Sequence, residues 1–187
     1  YHEAGHAILF HVLPHMDPVY TISIIPTGMG AAGYTMPLPD NDEMFNTKNK
    51  MLEDITTLLG GRVAEEIIFG DITTGASNDI KRATETARSM VMKYGMSEKI
   101  GLIAYGNDDD EVFIGRDLAH TRGYSEEVAR EIDGEISRII RECHENAESI
   151  IRENIGVLHS CAALLLEKEK IHREEFEALF TTEKEEV

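Results

Sequence analysis

The sequence predicts a mainly α-helical domain with a small β-sheet near its N-terminus and a helical bundle at its end. Over several long stretches, apolar residues recur every three or four positions, which is the spacing of one helix face. One β-branched run, "VYTISII", alternates in the manner of a strand. With 187 residues the chain can bury one core, and we expect a single domain over residues 1–187.

The composition is that of a globular protein and argues against a nucleic-acid partner. Hydrophobic residues make up 42% of the chain and charged residues 28%. The 35 acidic residues outnumber the 18 basic ones and give a net charge of −17. Such a chain repels a phosphate backbone, and no basic stripe with interleaved aromatic residues offsets that repulsion.

Three further features set expectations about compartment and context. No run approaches the roughly 18 apolar residues of a membrane-spanning helix, so we expect a soluble piece. Cys143 and Cys161 are far apart and lack C-x-x-C spacing, which favours plain core thiols in a reducing compartment. The chain has no initiator methionine and its first motif begins at residue 2, so we expect the natural protein to extend upstream.

The first elements are a helix followed by a strand, turn and strand. Helical spacing runs from His2 to about Leu13, and Pro14 and Pro18 end it. The stretch "VYTISIIPTGMGAAGYTMPLP" then contains the β-branched run, a glycine-rich turn and a second short extended segment.

A second long helix is predicted over "NTKNKMLEDITTLLGGRVAEEIIFG", with Gly60 and Gly61 in its interior. Each glycine costs a helix interior about 1 kcal/mol relative to alanine, so the pair suggests that another backbone packs very close. The first helix carries small residues suited to that contact, namely Ala4, Gly5 and Ala7. The apolar residues with helical spacing in the second helix are Met51, Ile55, Leu58, Leu59, Val63 and Ile67.

Loops and helices are predicted for the remaining two thirds of the chain. Ser77 is the expected N-cap of a helix over "NDIKRATETARSMVMKYG", and Ser125 caps a long helix. Between them we expect loops, one or two short strands and an acidic tip at 108–110. Two shorter helices, about Ile155 to Glu167 and Arg173 to Phe180, precede a charged tail, "TTEKEEV".

The stretch "HEAGHA" has the pattern of a metal site. Residues four apart lie on the same helix face, so His2 and His6 can direct two imidazoles, which are preferred zinc ligands, at one point. Glu3 lies beside that point, where a carboxylate can accept a proton from an attacking water. The alternative is a helix start that carries histidines by chance. In a chain of this length, such a chance match has a probability of about one per cent or less.

The third ligand is open from the residues alone. A catalytic zinc site usually has three protein ligands and an open position. The metzincin continuation fails because Leu9 and Val12 occupy the positions of its glycine and third histidine. His11 faces elsewhere and is expected to be structural. The candidates are the carboxylates that follow the second long helix or lie at its end, namely Glu65, Glu66 and Asp79.

Five stretches in order, "HEAGHA", "GGRVAEEIIFG", "TTGASNDI", "MVMKYGMSEK" and "YSEEVAREID", resemble the peptidase domain of the FtsH family. These are membrane-anchored, ATP-dependent zinc proteases of bacteria, mitochondria and chloroplasts. The resemblance covers nearly the whole chain and implies a zincin-like fold of the Asp-zincin type with one Zn²⁺ per chain. It implies His2, His6 and Asp79 as ligands and Glu3 as general base. Glu65 is then expected to hold a ligand imidazole.

The resemblance also implies hydrolysis of unfolded or unassembled polypeptides, including membrane proteins, in protein quality control. It implies a homo-hexamer anchored in a membrane and facing the bacterial cytoplasm or an organelle interior. No G-x-x-x-x-G-K-[ST] motif occurs, so ATP would act only through a motor domain absent from this chain.

Substrate could add as a strand to an exposed sheet edge. The candidate edge consists of Gly33, Tyr34, Thr35 and Met36, for which a plain hairpin partner is an equal alternative. The segment "DITTGAS" could gate the site or simply connect two helices.

Two rival functions are a module in which zinc only braces the fold and an acidic helical interaction domain without metal. Glu3 argues against the bracing module, because a structural site needs no base.

Overall fold

The computed structural model of the chain describes residues 1–26, 33–39, 44–105 and 123–185, with side chains described up to residue 181. Helices dominate these ranges and one small sheet accompanies them, as predicted. The acidic tip at 108–110 and the glycine-rich turn at 27–32 lie outside the described residues. In chain order the helices and strands are α1 (His2–Val12), β1 (Val19–Ser23), β2 (Tyr34–Pro37), α2 (Lys48–Phe69), α3 (Ser77–Met92), α4 (Glu126–Glu153), α5 (Ile155–Lys168), β3 (Lys170–His172) and α6 (Arg173–Glu185).

The sheet has the strand order β2-β1-β3, and β1 is antiparallel to both neighbours. Strand β2 therefore forms one edge of the described sheet. Strand β3 was not predicted, because three residues are too few to establish an alternating pattern. It is fixed by pairing across the chain, with Ile171 buried opposite Ile22.

Helices α1 and α2 cross with their backbones in contact. A Cβ placed on Gly5 would overlap the Gly60 carbonyl oxygen, and one on Gly60 would lie 2.9 Å from the Gly5 oxygen. This contact confirms the close approach inferred from the paired glycines. Helix α1 ends at Val12, and the next residue, Leu13, is extended, as expected for a residue that precedes a proline.

Helix α2 lies between two apolar clusters. Its first half, with Met51, Ile55 and Leu59, packs with α3 and α4, whereas Val63 and Ala64 pack with α1, β1, α5 and α6. Both cysteines are free and buried, as expected for core thiols, and burial raises the pKa of Cys161 to about 12. Within the described residues, no single helix is long and apolar enough to cross a membrane; only α4 and α5 together reach that size, and a 79° bend separates them.

The predicted cap of α3 is wrong by one residue. Ser77 has helical backbone angles and is the first residue of α3, whereas an N-cap needs an extended backbone. A 3₁₀ turn (Thr74–Ala76) precedes it, and Thr73 caps that turn by accepting a hydrogen bond from the Gly75 amide. The chain thus enters helical conformation four residues early.

The cap predicted for α4 is confirmed, because Ser125 is extended and its side chain accepts a hydrogen bond from the Val128 amide. The helix end predicted at about Phe180 is wrong, since α6 continues through the start of the charged segment to Glu185. No glycine or proline interrupts this segment, and the Thr181 hydroxyl donates to the Ala178 carbonyl within the helix. Residues 96–105 contain no strand, and the rest of the region expected to hold one, 106–122, lies outside the described residues.

Candidate metal centre

Three side chains from two helices converge at the N-terminal end of α1. His2 and His6 lie one turn apart on α1, and their Nε2 atoms are 3.1 Å from each other. Asp79, in the first turn of α3, places Oδ2 at 3.5 Å from His2 Nε2 and 3.6 Å from His6 Nε2. Tetrahedral zinc with bonds of about 2.0–2.1 Å separates its ligand atoms by about 3.3 Å. The three donor atoms therefore have the spacing of zinc ligands.

The second nitrogen of each imidazole is already bonded. His6 Nδ1 lies 2.7 Å from the Thr57 carbonyl oxygen, which can only accept, so Nδ1 carries the hydrogen. His2 Nδ1 lies 2.9 Å from Glu65 Oε1 and donates to that carboxylate in the same way. Both Nε2 atoms are then left with lone pairs directed at each other and at Asp79. Such a cluster of acceptors repels itself unless a proton or a metal ion lies among them.

The electrostatics of the site also favour positive charge. Burial disfavours the imidazolium form of His2, but hydrogen bonds to Asp79 and Glu65 outweigh burial and raise the pKa of His2. Burial likewise works against ionised Asp79, yet its hydrogen bonds with His2 and His6 hold the pKa of Asp79 far below its usual range. A metal ion would replace the proton that this arrangement attracts.

Glu3 lies beside the three donors but does not converge with them. Its Oε2 accepts a hydrogen bond of 2.9 Å from the Thr35 hydroxyl, which also lies 3.0 Å from the Glu3 carbonyl oxygen. Gly33 packs against the same side chain, because a Cβ there would lie 3.0 Å from Glu3 Cγ. The beginning of β2 thus contacts the predicted general base.

The candidate edge residues are therefore close to the metal centre. Gly33 is buried and precedes the strand, Tyr34 and Thr35 are half-buried, and Met36 is exposed. Strand β2 pairs with β1 along one side only within the described sheet. Its position beside Glu3 is compatible with either of the two roles considered for it.

The two glutamates left open as ligands lie in different surroundings. Glu65 is 7% exposed, and its oxygens bond to His2 Nδ1 and to the Thr73 hydroxyl and amide. Burial opposes its ionisation, but these bonds lower the pKa of Glu65. Glu66 points away and bonds at 2.9 Å to His144. Neither glutamate directs an oxygen at the two Nε2 atoms.

Sequence reasoning missed three contributors to this site. Thr57 takes part through its backbone carbonyl, and because every residue type has this group, the sequence does not indicate which residue supplies it. Thr35 was named only as an edge residue, and its hydrogen bond to Glu3 spans 32 positions. Thr73 lies eight positions after Glu65 across the left-handed turn at Gly70, a spacing that follows no helical or strand period.

Comparison with known families matches residues 1–179 to peptidase family M41. Relatives include ATP-dependent zinc metalloprotease FtsH 1 of Thermoanaerobacter sp. (strain X514), 55% identical over 98% of this chain. ATP-dependent zinc metalloprotease FtsH of Caldicellulosiruptor bescii is 55% identical over 96% of the chain, and that of Thermotoga maritima 49% over 100%.

The chain spans 30%, 29% and 31% of the lengths of these three relatives. The family match nevertheless covers nearly all of this chain, including every stretch on which the resemblance to the FtsH family rested. The chain therefore belongs to peptidase family M41.

Proposed function

We propose that this chain is a zinc metalloendopeptidase domain in which His2, His6 and Asp79 bind Zn²⁺ and Glu3 is the general base. The observation that carries the proposal is the convergence of three donor atoms within 4.8 Å of one another, with a separate carboxylate beside them. A structural zinc site has no use for that fourth group. The names of the relatives, all zinc metalloproteases, point to the same metal.

The chain's own residues supply the proton transfers of peptide hydrolysis. A bound Zn²⁺ would act as a Lewis acid toward the scissile carbonyl and make the attacking water more acidic. Glu3 then accepts a proton from that water and returns it to the leaving amine nitrogen. The Thr35 hydroxyl holds Glu3 Oε2, so we assign the transfer to Oε1. Glu65 keeps His2 in the tautomer with an unprotonated Nε2.

Strand β2 is the proposed docking edge for polypeptide substrates. An unfolded segment that pairs with a free strand is held by its backbone, which suits a protease that accepts many sequences. Strand β2 lies at one edge of the described sheet and its first residues touch Glu3. Residues 34–37 would thus place the bound backbone next to the general base.

The remaining functional proposals concern the longer protein. The relatives are named as ATP-dependent, and this chain has no phosphate-binding motif, so a motor encoded outside residues 1–187 would deliver unfolded substrates. We place the chain in a membrane-anchored homo-hexamer that degrades unassembled proteins on the cytoplasmic or organelle-interior side. These features rest on family resemblance.

The test compares zinc-loaded wild type with zinc-loaded Glu3→Gln on an unfolded protein substrate. We expect wild type to release peptides and the variant to be slower by about 10²-fold or more, because general base catalysis is lost. Both should retain one zinc, since Glu3 is not a ligand. Equal cleavage would remove Glu3 from the mechanism. If neither wild type nor Glu3→Gln cleaves the substrate when each is made as the full-length protein with its motor, zinc would have only a bracing role.

A further inference from the structure

The proposed ligands come from two distant parts of the chain that one carboxylate connects. His2 belongs to α1, whereas Asp79 follows the segment that leaves α2 at Gly70. Glu65 accepts from His2 Nδ1 with Oε1 at 2.9 Å and from the Thr73 hydroxyl with Oε2 at 3.0 Å. The carboxylate that orients one ligand is therefore also bonded to the segment leading to another ligand.

Thr73 uses all of its polar groups at this junction. Its amide and hydroxyl both point to Glu65 Oε2, at 3.3 and 3.0 Å. The same hydroxyl accepts from the Gly75 amide at 3.1 Å and so caps the 3₁₀ turn. Its carbonyl accepts from Arg62 Nη2 at 2.9 Å. Thr73 is thereby bonded on one side to α2 and on the other to the turn that continues into α3.

The direction of Asp79 depends on that turn. The 3₁₀ turn (Thr74–Ala76) passes directly into α3, and Asp79 is the third residue of the helix. A change in the start of the turn would rotate the first turn of α3 relative to α1. Because Asp79 Oδ2 lies 3.5 Å from His2 Nε2, a small rotation would move it out of reach of the shared metal position.

We propose that Thr73 is a positioning residue for the metal centre, whose hydroxyl fixes Glu65 behind His2 and fixes the turn that presents Asp79. The proposal rests on the zinc site of the proposed function. A hydroxyl is required because one group must donate to a carboxylate and accept from an amide at the same time. Valine has nearly the same shape and can do neither.

Thr74 provides a matched control. It is the neighbouring residue, it is the same type, and both threonines are exposed. Within the described part of the chain, its side chain has no hydrogen-bond partner, although its carbonyl accepts from the Ser77 amide. Thr74→Val therefore makes the same chemical change without touching Glu65.

The experiment measures zinc affinity of the full chain by competition with a chromophoric chelator, for wild type, Thr73→Val, Thr73→Ser and Thr74→Val. Substituting a residue that orients a metal ligand weakens metal binding by about 10- to 100-fold. Thr73 contacts Glu65, which in turn contacts the ligand His2, so we expect an effect at the lower end, about 10-fold weaker zinc binding for Thr73→Val. Thr73→Ser and Thr74→Val should match wild type. Thermal unfolding of the zinc-free proteins shows whether a loss of affinity merely follows a loss of fold.

A second comparison tests whether Thr73 acts through Glu65. In a Glu65→Gln background, adding Thr73→Val should weaken zinc binding by less than it does in wild type, because the carboxylate that Thr73 holds is gone. If Thr73→Val does not fold, Thr73→Ala removes the same hydroxyl without adding a methyl group in its place.

The outcomes separate this inference from the proposed function. If wild type binds zinc and Thr73→Val binds it as tightly as Thr74→Val, the role of Thr73 is wrong while the zinc site stands. A Thr73→Ser variant as weak as Thr73→Val would also overturn it, because the hydroxyl is retained. If wild type itself binds no zinc, both proposals fail.

Discussion

His2 and His6 differ in what holds the second nitrogen of each ring. The partner of His6 is the Thr57 carbonyl, which remains when the Thr57 side chain is replaced. The partner of His2 is the Glu65 carboxylate, which a single substitution removes. Side-chain changes around the metal centre are therefore expected to act mainly through His2.

The Thr35 hydroxyl is expected to matter for catalysis rather than for metal binding. Thr35→Val removes the hydrogen bond that holds Glu3 Oε2, so the general base loses orientation while the three metal ligands are untouched. General base catalysis contributes about 10²–10⁴-fold, and we expect loss of this bond to lower kcat by about 10-fold. KM and zinc content should stay near wild type, because the backbone of β2 is unchanged.

The control for this prediction is Thr35→Ser, which keeps the hydroxyl and should retain most of kcat. Steady-state cleavage of an unfolded substrate and zinc content give both quantities. Equal kcat values for the valine and serine variants would mean that Thr35 does not orient Glu3.

At the scale of elements, the crossing of α1 and α2 sets the metal centre. Beyond the contact between Gly5 and Gly60, a Cβ on Gly61 would overlap the His2 ring. The His2 imidazole therefore packs directly on the backbone of α2, one turn before Glu65. The glycine pair fixes how closely Glu65 and His2 can approach each other.

Two glycine-to-alanine substitutions should have opposite effects on stability. Gly5→Ala forces a methyl group into the backbone of α2, so we expect a loss of about 1–3 kcal/mol in the free energy of unfolding. Gly134 lies on the exposed face of α4, and no atom of the described residues is within 4 Å of a Cβ placed there, so reduced freedom of the unfolded chain should make Gly134→Ala more stable by about 0.4–1 kcal/mol. Denaturant unfolding measures both. Stabilisation by Gly5→Ala would contradict the close crossing.

At the scale of the whole molecule, the buried carboxylate of Glu135 joins the long helix α4 to the segment after α3 through Ser97, and it pairs with Arg138 within α4. Glu135 is 5% exposed and accepts hydrogen bonds from the Arg138 guanidinium and from the Ser97 hydroxyl. The bonds from Arg138, opposed by burial and aided by Ser97, lower the pKa of Glu135. In a chain with a net charge of −17, this arginine offsets local repulsion among the acids of α4.

The lowered pKa predicts how stability changes with pH. A carboxyl whose folded pKa lies below its unfolded value of about 4.3 stabilises the fold above that pH and loses its contribution as pH falls through the folded pKa. We therefore expect Glu135→Gln to be less stable than wild type at pH 7, with the difference shrinking below about pH 4. Urea unfolding at several pH values measures it.

Glu145→Gln on the same helix makes the same charge change at an exposed position and serves as the control. Its stability difference from wild type should vary less with pH than that of Glu135→Gln. A Glu135→Gln difference that is constant from pH 7 to pH 3 would contradict the ion-pair interpretation.

Helix positions were predictable because long amphipathic stretches and proline or serine boundaries are local signals. The errors have physical causes too. Strand β3 depends on pairing with β1, some 150 positions away. The start of α3 depends on a 3₁₀ turn, which was not predicted because Ser77 fits the sequence pattern of an N-cap. The glycine pair allowed one tertiary contact to be anticipated, because an unfavourable residue inside a helix needs a packing reason.

By itself, the sequence determined the mainly helical class, two imidazoles on one helix face, and a carboxylate beside them, since four-residue spacing fixes these relations within a single helix. It left Glu65, Glu66 and Asp79 open until the resemblance favoured Asp79. Only the tertiary structure decided which carboxylate oxygen faces both Nε2 atoms, which groups hold the opposite ring nitrogens, and which threonines hold Glu3 and Glu65. Those relations join residues 8 to 77 positions apart, and they follow from how α1, β2, α2 and α3 pack rather than from any local period.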